Sequence, residues 1–539
     1  MNRHITLFDT TLRDGTQGEG VSLSVEDKLK IARKLDELGI HYIEGGWPGS
    51  NAKDVEFFRR ARDLRLKHAK LTAFCSTRRK GIRPEDDANL ASILESGVRV
   101  ASIFGKSWDF HVHRALQTTL EENLAMIADS VGHLKRHGLE VIYLAEHFFD
   151  GFKSNRDYAL ETLRKAAEAG ADWLVLCDTN GGSMPSEIAD TVAAVCRSFE
   201  VPVGIHAHND CELGVANSLA AVQAGARQVQ GTINGIGERC GNANLSSIIP
   251  NLQLKLGYKV VSDEQLASLT SVCRYVSEIA NLHMPVNQPF VGPAAFAHKG
   301  GIHVSAILRD ASTYEHIRPE LVGNKTRVLV SELAGQSNLV FKARELGLDL
   351  DLDNAKTKEI INKIKELEHQ GYQFEGADAS LELLLREASG RLEEIFTVQS
   401  YKIIVEKTGD RPAVSEAIIK LDVAGETVYA AAEGNGPVNA LDNALRQAIM
   451  RYYPELEQMH LTDYKVRVLD EKDATAAKVR VLIESTDYVN RWSTVGVSGN
   501  VIEASWNALI DSMRYALIGK ERPRLASNGK AERQGIMNH

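Results

Sequence analysis

The stretch VPVGIHAHND, Val201 to Asp210, sets an apolar run directly against two histidines two residues apart. On a buried strand, side chains two apart project from one face. His206 and His208 would then stand side by side where the strand gives way to a loop. Such a pair is a natural start for a metal site, although a lone His-x-His pair is a weak signal and is more often two satisfied surface or core histidines. The reading turns on whether other strand ends bring ligands to the same place.

Two other segments do. Ile5 to Asp9 is another apolar run, and it leads into TTLRDGTQG, which puts Arg13, Asp14 and Gln17 on the loop beyond it. Val229 to Ile233 leads into NGIGERCGN and offers the carbonyl oxygen of Asn242. Asp14 and Asn242 with the two imidazoles make a mixed nitrogen and oxygen set, suited to a divalent ion such as zinc, manganese or magnesium. The glycines Gly235 and Gly237 invite a dinucleotide-binding reading, but the third glycine comes one residue late and the acidic partner is missing, so that reading is discarded.

Working outward, short apolar runs begin near Ile5, His41, Leu71, Val98, Leu139, Trp173, Val201 and Gln228, and segments such as Val25 to Leu38 between them have helical spacing. Eight strand and helix units predict an α/β fold, a TIM (β/α)8 barrel. The chemically capable residues fall after the runs and not before them. Asp9 to Gln17, Glu44 to Asn51, Ser76 to Arg79, Glu146 to His147, Asp178 to Asn180, His206 to Asp210 and Asn234 to Asn242 all follow a strand candidate, as a barrel with its site at the carboxy-terminal face requires.

With 539 residues the chain is long enough for several domains. From Val260 to about Gly390 it reads as mainly helical, interrupted by MPVNQPFVGPAAFAHKGGIH. From about Phe396 strands follow one another, with an internal repeat. Three runs lead into Gly434-Asn435 and a helix carrying NALR, and three more into Gly499-Asn500 and a helix carrying NALI. This predicts a pseudo-symmetric α+β domain with two equivalent helix starts, and helix amino termini attract carboxylates. The expected division is a catalytic barrel over 1–270, a helical linker over 271–395, a carboxy-terminal domain over 396–519 and a frayed polar tail over 520–539.

The balance of 63 basic and 72 acidic residues, net charge -9, without a long basic run, argues against a nucleic-acid partner. No apolar stretch approaches the roughly 18 residues that span a bilayer, so no membrane partner and a cytoplasmic location are expected. The six cysteines are scattered singly, which predicts reduced thiols with packing roles.

The segments DTTLRDGTQ, HAHND and NGIGERCGN together resemble the DRE-TIM metallolyases, and within them the 2-isopropylmalate, homocitrate and citramalate synthases. HKGGIHVSA in the helical middle and GNGPVNAL in the carboxy-terminal domain extend the resemblance over nearly the whole chain. YIEGGWPGSN and AEHFFDGFKSN look like the bacterial citramalate branch. The resemblance implies a metal-dependent Claisen condensation of acetyl-CoA with pyruvate and water, giving (R)-citramalate and CoA. That is the first step of a threonine-independent isoleucine pathway, with isoleucine as feedback effector on the carboxy-terminal domain. A close alternative is a 2-isopropylmalate synthase acting on 2-oxoisovalerate. An alternative of another class is a non-catalytic amino-acid sensor, whose mark would be a damaged metal set.

By the same resemblance, Asp14, His206, His208 and Asn242 hold a divalent metal (Mn, Mg or Zn). Arg13 stabilises the oxygen that becomes negative, and Gln17 and Thr179 contact the keto acid. Glu146 positions groups or shuttles protons. His303 and Tyr314 match residues that deprotonate acetyl-CoA or activate water from across a homodimer. Without the resemblance, Asp14 reads as a turn cap, Asn242 and Thr179 as local hydrogen-bonding groups and Glu146 as half of a salt bridge.

Overall fold

The computed structural model describes residues 4–330, 336–345, 354–392, 394–469, 477–487 and 490–518; the tail expected over 520–539 lies outside the described residues. The chain divides into two compact units. The first comprises Met1–Ala297 and Glu315–Arg327, the second His298–Tyr314 and Val328–His539.

In the first unit eight parallel strands close into a barrel in sequence order. They are β1 (Thr6–Asp9), β2 (Tyr42–Gly46), β3 (Lys70–Ser76), β4 (Val100–Lys106), β5 (Glu140–Glu146), β6 (Trp173–Asp178), β7 (Val203–Ala207) and β8 (Gln228–Gly231). Each begins within two residues of the start read from the sequence. β1 and β8 close the ring in the register Thr6 to Gln228 through Asp9 to Gly231.

Strand alternation splits the apolar residues into two cores. Phe8, Tyr42, Phe74, Val100, Ile142, Leu144, Val175 and Cys177 pack together inside the barrel. Their neighbours Leu7, Ile43, Ala73, Ala101, Val141, Tyr143, Leu174 and Leu176 face outward and pack among the surrounding helices. The inward register carries on past the apolar layer to Glu44, Lys106, Glu146, Thr179, His206 and His208. Parity along each strand therefore decides which polar groups meet at the barrel mouth.

The helices around the barrel start where local chemistry tells them to. Ser24 and Asp27 form a reciprocal capping box ahead of Val25–Glu37, whose Leu29, Ala32 and Leu35 stripe is buried at helical spacing. The same helix buries Lys28, whose ammonium donates to Asp54 at 2.5 Å and to the Gly45 carbonyl at 3.1 Å. Asp54 in turn accepts from the Trp47 amide at 2.8 Å, so this pair pins the loop after β2.

The second unit contains the helices Gln336–Glu345, Asn354–His369 and Asp378–Ala388. It then forms two three-stranded antiparallel sheets. Phe396–Glu406, Val414–Val423 and Glu426–Gly434 precede the helix Pro437–Ile449, and His460–Val468, Val479–Thr486 and Arg491–Ser498 precede Val501–Ala516. The duplication read from Gly434-Asn435 and Gly499-Asn500 is thus a repeat of three strands and a helix. Ala417, Ile419 and Leu421 of one copy and Val481 and Ile483 of the other share a single core with Ala440, Ala444, Ala504 and Ala508. Close helix contact needs small residues: a Cβ on Gly496 would sit 2.0 Å from the Ala504 carbonyl oxygen.

The two helix starts are not equivalent, contrary to the expectation. Asn500 caps its own helix by accepting from the Ile502 amide at 2.9 Å. In the first copy Gly436 is the cap, without a side-chain bond, and Pro437 supplies the first turn. The single-residue difference in spacing between the repeats puts the asparagine one place too early to cap.

Removing one partner of a buried ion pair leaves the other charge uncompensated. Asp54→Ala is expected to destabilise the barrel by about 3 to 5 kcal/mol, read as a lower urea midpoint. A midpoint equal to that of the parent would remove Lys28 and Asp54 from the account of the fold.

Candidate active site at the barrel mouth

His206 near the end of β7 and His208 just beyond it share one face and have ring centroids 5.2 Å apart. Asp14 reaches them from the loop after β1, its Oδ2 lying 3.5 Å from His206 Nε2 and 4.0 Å from His208 Nε2. All three are buried, and one ligand atom from each falls within 4.8 Å of the others. Ligands held about 2.1 Å from one ion stand about 3 to 3.5 Å apart, so the cluster is close to the spacing a divalent cation needs.

Asn242 joins them through the backbone, in an antiparallel bridge with His208. Gly237, at φ +157°, makes room for it: a Cβ there would lie 2.1 Å from Asn242 Nδ2. The glycine run once open to a nucleotide reading thus serves to admit an asparagine. Asp14 Oδ1, His208 Nδ1 and Asn242 Oδ1 are buried without hydrogen-bond partners. Buried polar atoms left unsatisfied on three residues of one cluster, together with the close approach of Asp14 Oδ2 to both imidazoles, fit a divalent metal.

The cluster is oriented from behind. His206 Nδ1 lies 3.2 Å from Gln230 Oε1, and Gln230 Nε2 donates to Gln228 Oε1 at 3.0 Å. A bond of this kind to the far ring nitrogen fixes the tautomer and leaves Nε2 free to ligate.

Arg13 stands beside the metal candidates. Its Nε donates to Glu44 at 2.6 Å, its terminal nitrogen to Asp14 at 3.0 Å, and its guanidinium lies 4.0 Å over the Phe74 ring. Glu44 is fully buried and its second oxygen accepts from Ser102 at 2.5 Å. Burial pushes the Asp14 carboxyl up, but the Arg13 charge and His206 outweigh it and hold the group well below the usual carboxylate range. Burial, reinforced by His206, pushes the His208 imidazole down to about 4, which keeps it neutral and able to ligate at neutral pH.

A cavity of about 210 Å³ opens over this cluster, lined by Arg13, Asp14, His206 and His208 and also by Gln17, Glu146 and Thr179. Its apolar wall is Trp47, Phe74, Phe104 and Leu144, and the three rings pack with centroids 5.2 to 5.9 Å apart. Glu146 is ion-paired with Lys106. The Thr179 hydroxyl accepts from the His147 amide at 2.9 Å, which leaves its own proton to donate elsewhere. Gln17 lines the cavity from an exposed position. Cys177 also lines it, but burial raises its thiol well above the ordinary value, so it packs and is not a thiolate.

His303 and Tyr314 belong to the second unit. They are exposed there and stack on each other with ring centroids 4.2 Å apart. The structure therefore gathers Arg13, Asp14, Gln17, Glu146, Thr179, His206 and His208 around one cavity, ties Asn242 to His208, and brings His303 and Tyr314 together as a separate pair. Glu44, Gln230, Lys106 and the ring wall escaped the sequence reading as partners of the site. The alternating amides Gln228 and Gln230 on a strand that must be buried were the one available signal, because polar side chains at inward barrel positions need each other.

Three family models match consecutive parts of the chain: HMGL-like over residues 4–276, homocitrate synthase post-HMGL domain-like over 290–372, and the LeuA allosteric (dimerisation) domain over 375–517. The chain is 56% identical over 523 residues to the (R)-citramalate synthase of Aquifex aeolicus, covering 97% of this chain and 99% of the relative. It is 56% identical over 514 residues to that of Geobacter sulfurreducens, covering 95% and 97%. It is 33% identical over 520 residues to the 2-isopropylmalate synthase of Methanocaldococcus jannaschii, covering 96% of each.

Because Gln230 sets the His206 ring, Gln230→Leu is expected to weaken manganese binding by about 10- to 100-fold, followed by the loss of the free-ion signal in electron paramagnetic resonance. Parent-like manganese affinity would contradict the ligand set.

Proposed function

The chain belongs to the HMGL-like family, and from that membership we propose that it is an acyltransferase of the (R)-citramalate synthase kind, joining acetyl-CoA, pyruvate and water into (R)-citramalate and free CoA. The observation that carries this reading is the convergence of Asp14, His206, His208 and a guanidinium in one buried cluster under a small cavity.

Asp14, His206, His208 and Asn242 would hold a divalent cation, which when bound supplies Lewis-acid polarisation of the keto carbonyl. The rest falls to the chain's own side chains. Arg13 is permanently charged and clamped by Glu44, and it stabilises the oxygen that becomes negative as the carbon bond forms. Thr179, with its hydroxyl already accepting from a backbone amide, donates a hydrogen bond to the keto-acid carboxylate. Glu146, held by Lys106, positions the thioester end or relays a proton, and Gln17 adds a polar contact at the rim. His303 of the partner subunit and Tyr314 of the partner subunit supply the proton acceptor for the acetyl methyl or for the hydrolytic water. A homodimer is supported by the LeuA allosteric (dimerisation) match, and the same match supports an allosteric role for the carboxy-terminal domain, for which isoleucine is the effector we propose.

Pyruvate is favoured over 2-oxoisovalerate by the 56% identity to two (R)-citramalate synthases, and Trp47, Phe74, Phe104 and Leu144 are the side chains that would bound the keto-acid substituent. A difference of one or two methyl groups shifts selectivity by only about 1 to 3 kcal/mol per group. The 2-isopropylmalate synthase reading draws on relatives that are 33 to 34% identical, against 56% for two (R)-citramalate synthases. A non-catalytic amino-acid sensor is disfavoured by the complete ligand set.

Thiol release from acetyl-CoA with Mn or Mg is expected to be fastest with pyruvate and slower with 2-oxobutyrate and 2-oxoisovalerate, and to fall when isoleucine is added. Preference for 2-oxoisovalerate would move the chain to the 2-isopropylmalate synthases. Activity indifferent to isoleucine would leave the carboxy-terminal domain without that role.

A further inference from the structure

The loops that follow β5, β6, β7 and β8 are joined by hydrogen bonds that run from strand end to strand end. The His147 amide after β5 donates to the Thr179 hydroxyl after β6 at 2.9 Å. After β7, the His208 amide donates to the Asp178 carbonyl and the Cys211 amide to the Gly181 carbonyl, each at 3.2 Å. The Asn209 amide donates to the Gly241 carbonyl after β8 at 2.9 Å.

One side chain ties three of these loops together. Arg239, on the loop after β8, grips Asp210 with a fork: Nε donates to one carboxylate oxygen at 2.7 Å and a terminal nitrogen to the other at 3.0 Å. The same terminal nitrogen donates to the Thr179 carbonyl at 2.8 Å. Thr179 carries the hydroxyl assigned to the keto-acid carboxylate, Asp210 lies two residues after His208, and Arg239 lies three before Asn242.

The backbone shows that Arg239 is kept for its side chain. Its φ is 57°, in the left-handed region. The same loop places glycine at two other left-handed positions, Gly235 at φ 70° and Gly241 at φ 89°, and a glycine at 239 would take this conformation without strain. Stability does not account for the arginine, because the paired side chains are 39% and 22% exposed and such pairs contribute little to it. A strained residue whose ion pair does little for the fold belongs where a site fixes its geometry. Gly181, at φ 61°, completes the fit by letting the loop after β6 press on Asp210: a Cβ there would lie 2.6 Å from Asp210 Oδ1.

We infer that Arg239 is a positioning residue for the keto acid: by holding the Thr179 peptide against Asp210, it sets the Thr179 hydroxyl in register with His208 and Asn242. The inference rests on the proposed role of Thr179 and adds what holds that residue in place. A keto acid bound at both ends needs its two anchors at a constant separation, and misplacement by 1 Å costs about 100-fold in rate. The His147 amide steadies the hydroxyl of Thr179, and Arg239 steadies its peptide.

The test compares thiol release by the parent, Arg239→Ala, Arg239→Lys, Asp210→Asn, Thr179→Ala and the double variant Arg239→Ala/Thr179→Ala. Arg239→Ala is expected to lower kcat/KM for pyruvate by about 10- to 100-fold. KM for acetyl-CoA, manganese affinity and the urea midpoint are expected to stay close to the parent values, since the pair is half-exposed. Arg239→Lys, which loses the fork, and Asp210→Asn, which weakens its anchor, are expected to fall between parent and Arg239→Ala. Because Arg239 acts through the Thr179 hydroxyl, removing it from Thr179→Ala is expected to cost less than about twofold more. A parent-like kcat/KM in Arg239→Ala, or losses that multiply in the double variant, would overturn the assignment alone. A lowered urea midpoint or an equal rise in KM for acetyl-CoA would also overturn it, by making Arg239 a support of the fold. A parent that releases no thiol with pyruvate would overturn the proposed reaction and this inference with it.

Discussion

The guanidinium of Arg13, buried between Glu44 and Asp14 and stacked over Phe74, is the interaction on which the site depends. A carboxylate as buried as Asp14 would otherwise take up a proton and cease to be a good ligand. Arg13 keeps it ionised, and Glu44 keeps Arg13 in place, with Ser102 holding the remaining Glu44 oxygen. The three charges sum to one net negative charge in a buried place. A divalent cation and a monoanionic keto acid together bring that sum to neutral. A buried cluster of this kind is weak evidence for stability and better explained by what it holds.

The barrel supplies the precision. Tyr42 and Glu44, Val100 and Ser102, Ile142, Leu144 and Glu146, and Val175, Cys177 and Thr179 lie on successive inward positions of their strands. The apolar members fill the interior, and the polar members follow above them at the carboxy-terminal end. A slip of one residue on any strand would turn its site residue out among the helices, so the packed interior also fixes the register of the chemistry.

Much of this was legible in the sequence because it rests on short-range pattern. The eight apolar runs, the His-x-His pair after one of them and the loops carrying Asp14 and Asn242 are local, and strand parity carries them to one place. The Arg13 to Glu44 pair, the Gln230 brace on His206 and the ring wall of Trp47, Phe74 and Phe104 were not legible, because each joins residues on different strands and exists only once the barrel closes. The repeat in the second unit was visible as two Gly-Asn helix starts, yet a one-residue offset makes Asn500 a cap and leaves Asn435 outside the helix.

The measurement that tests the central claim most directly is kcat for thiol release by Arg13→Lys with pyruvate. Lysine keeps the charge but cannot bond Glu44 and Asp14 at once while facing the reacting oxygen. A fall of about 100- to 1,000-fold in kcat, with the fold intact, is the predicted result. A variant that turns over at the parent rate would contradict it.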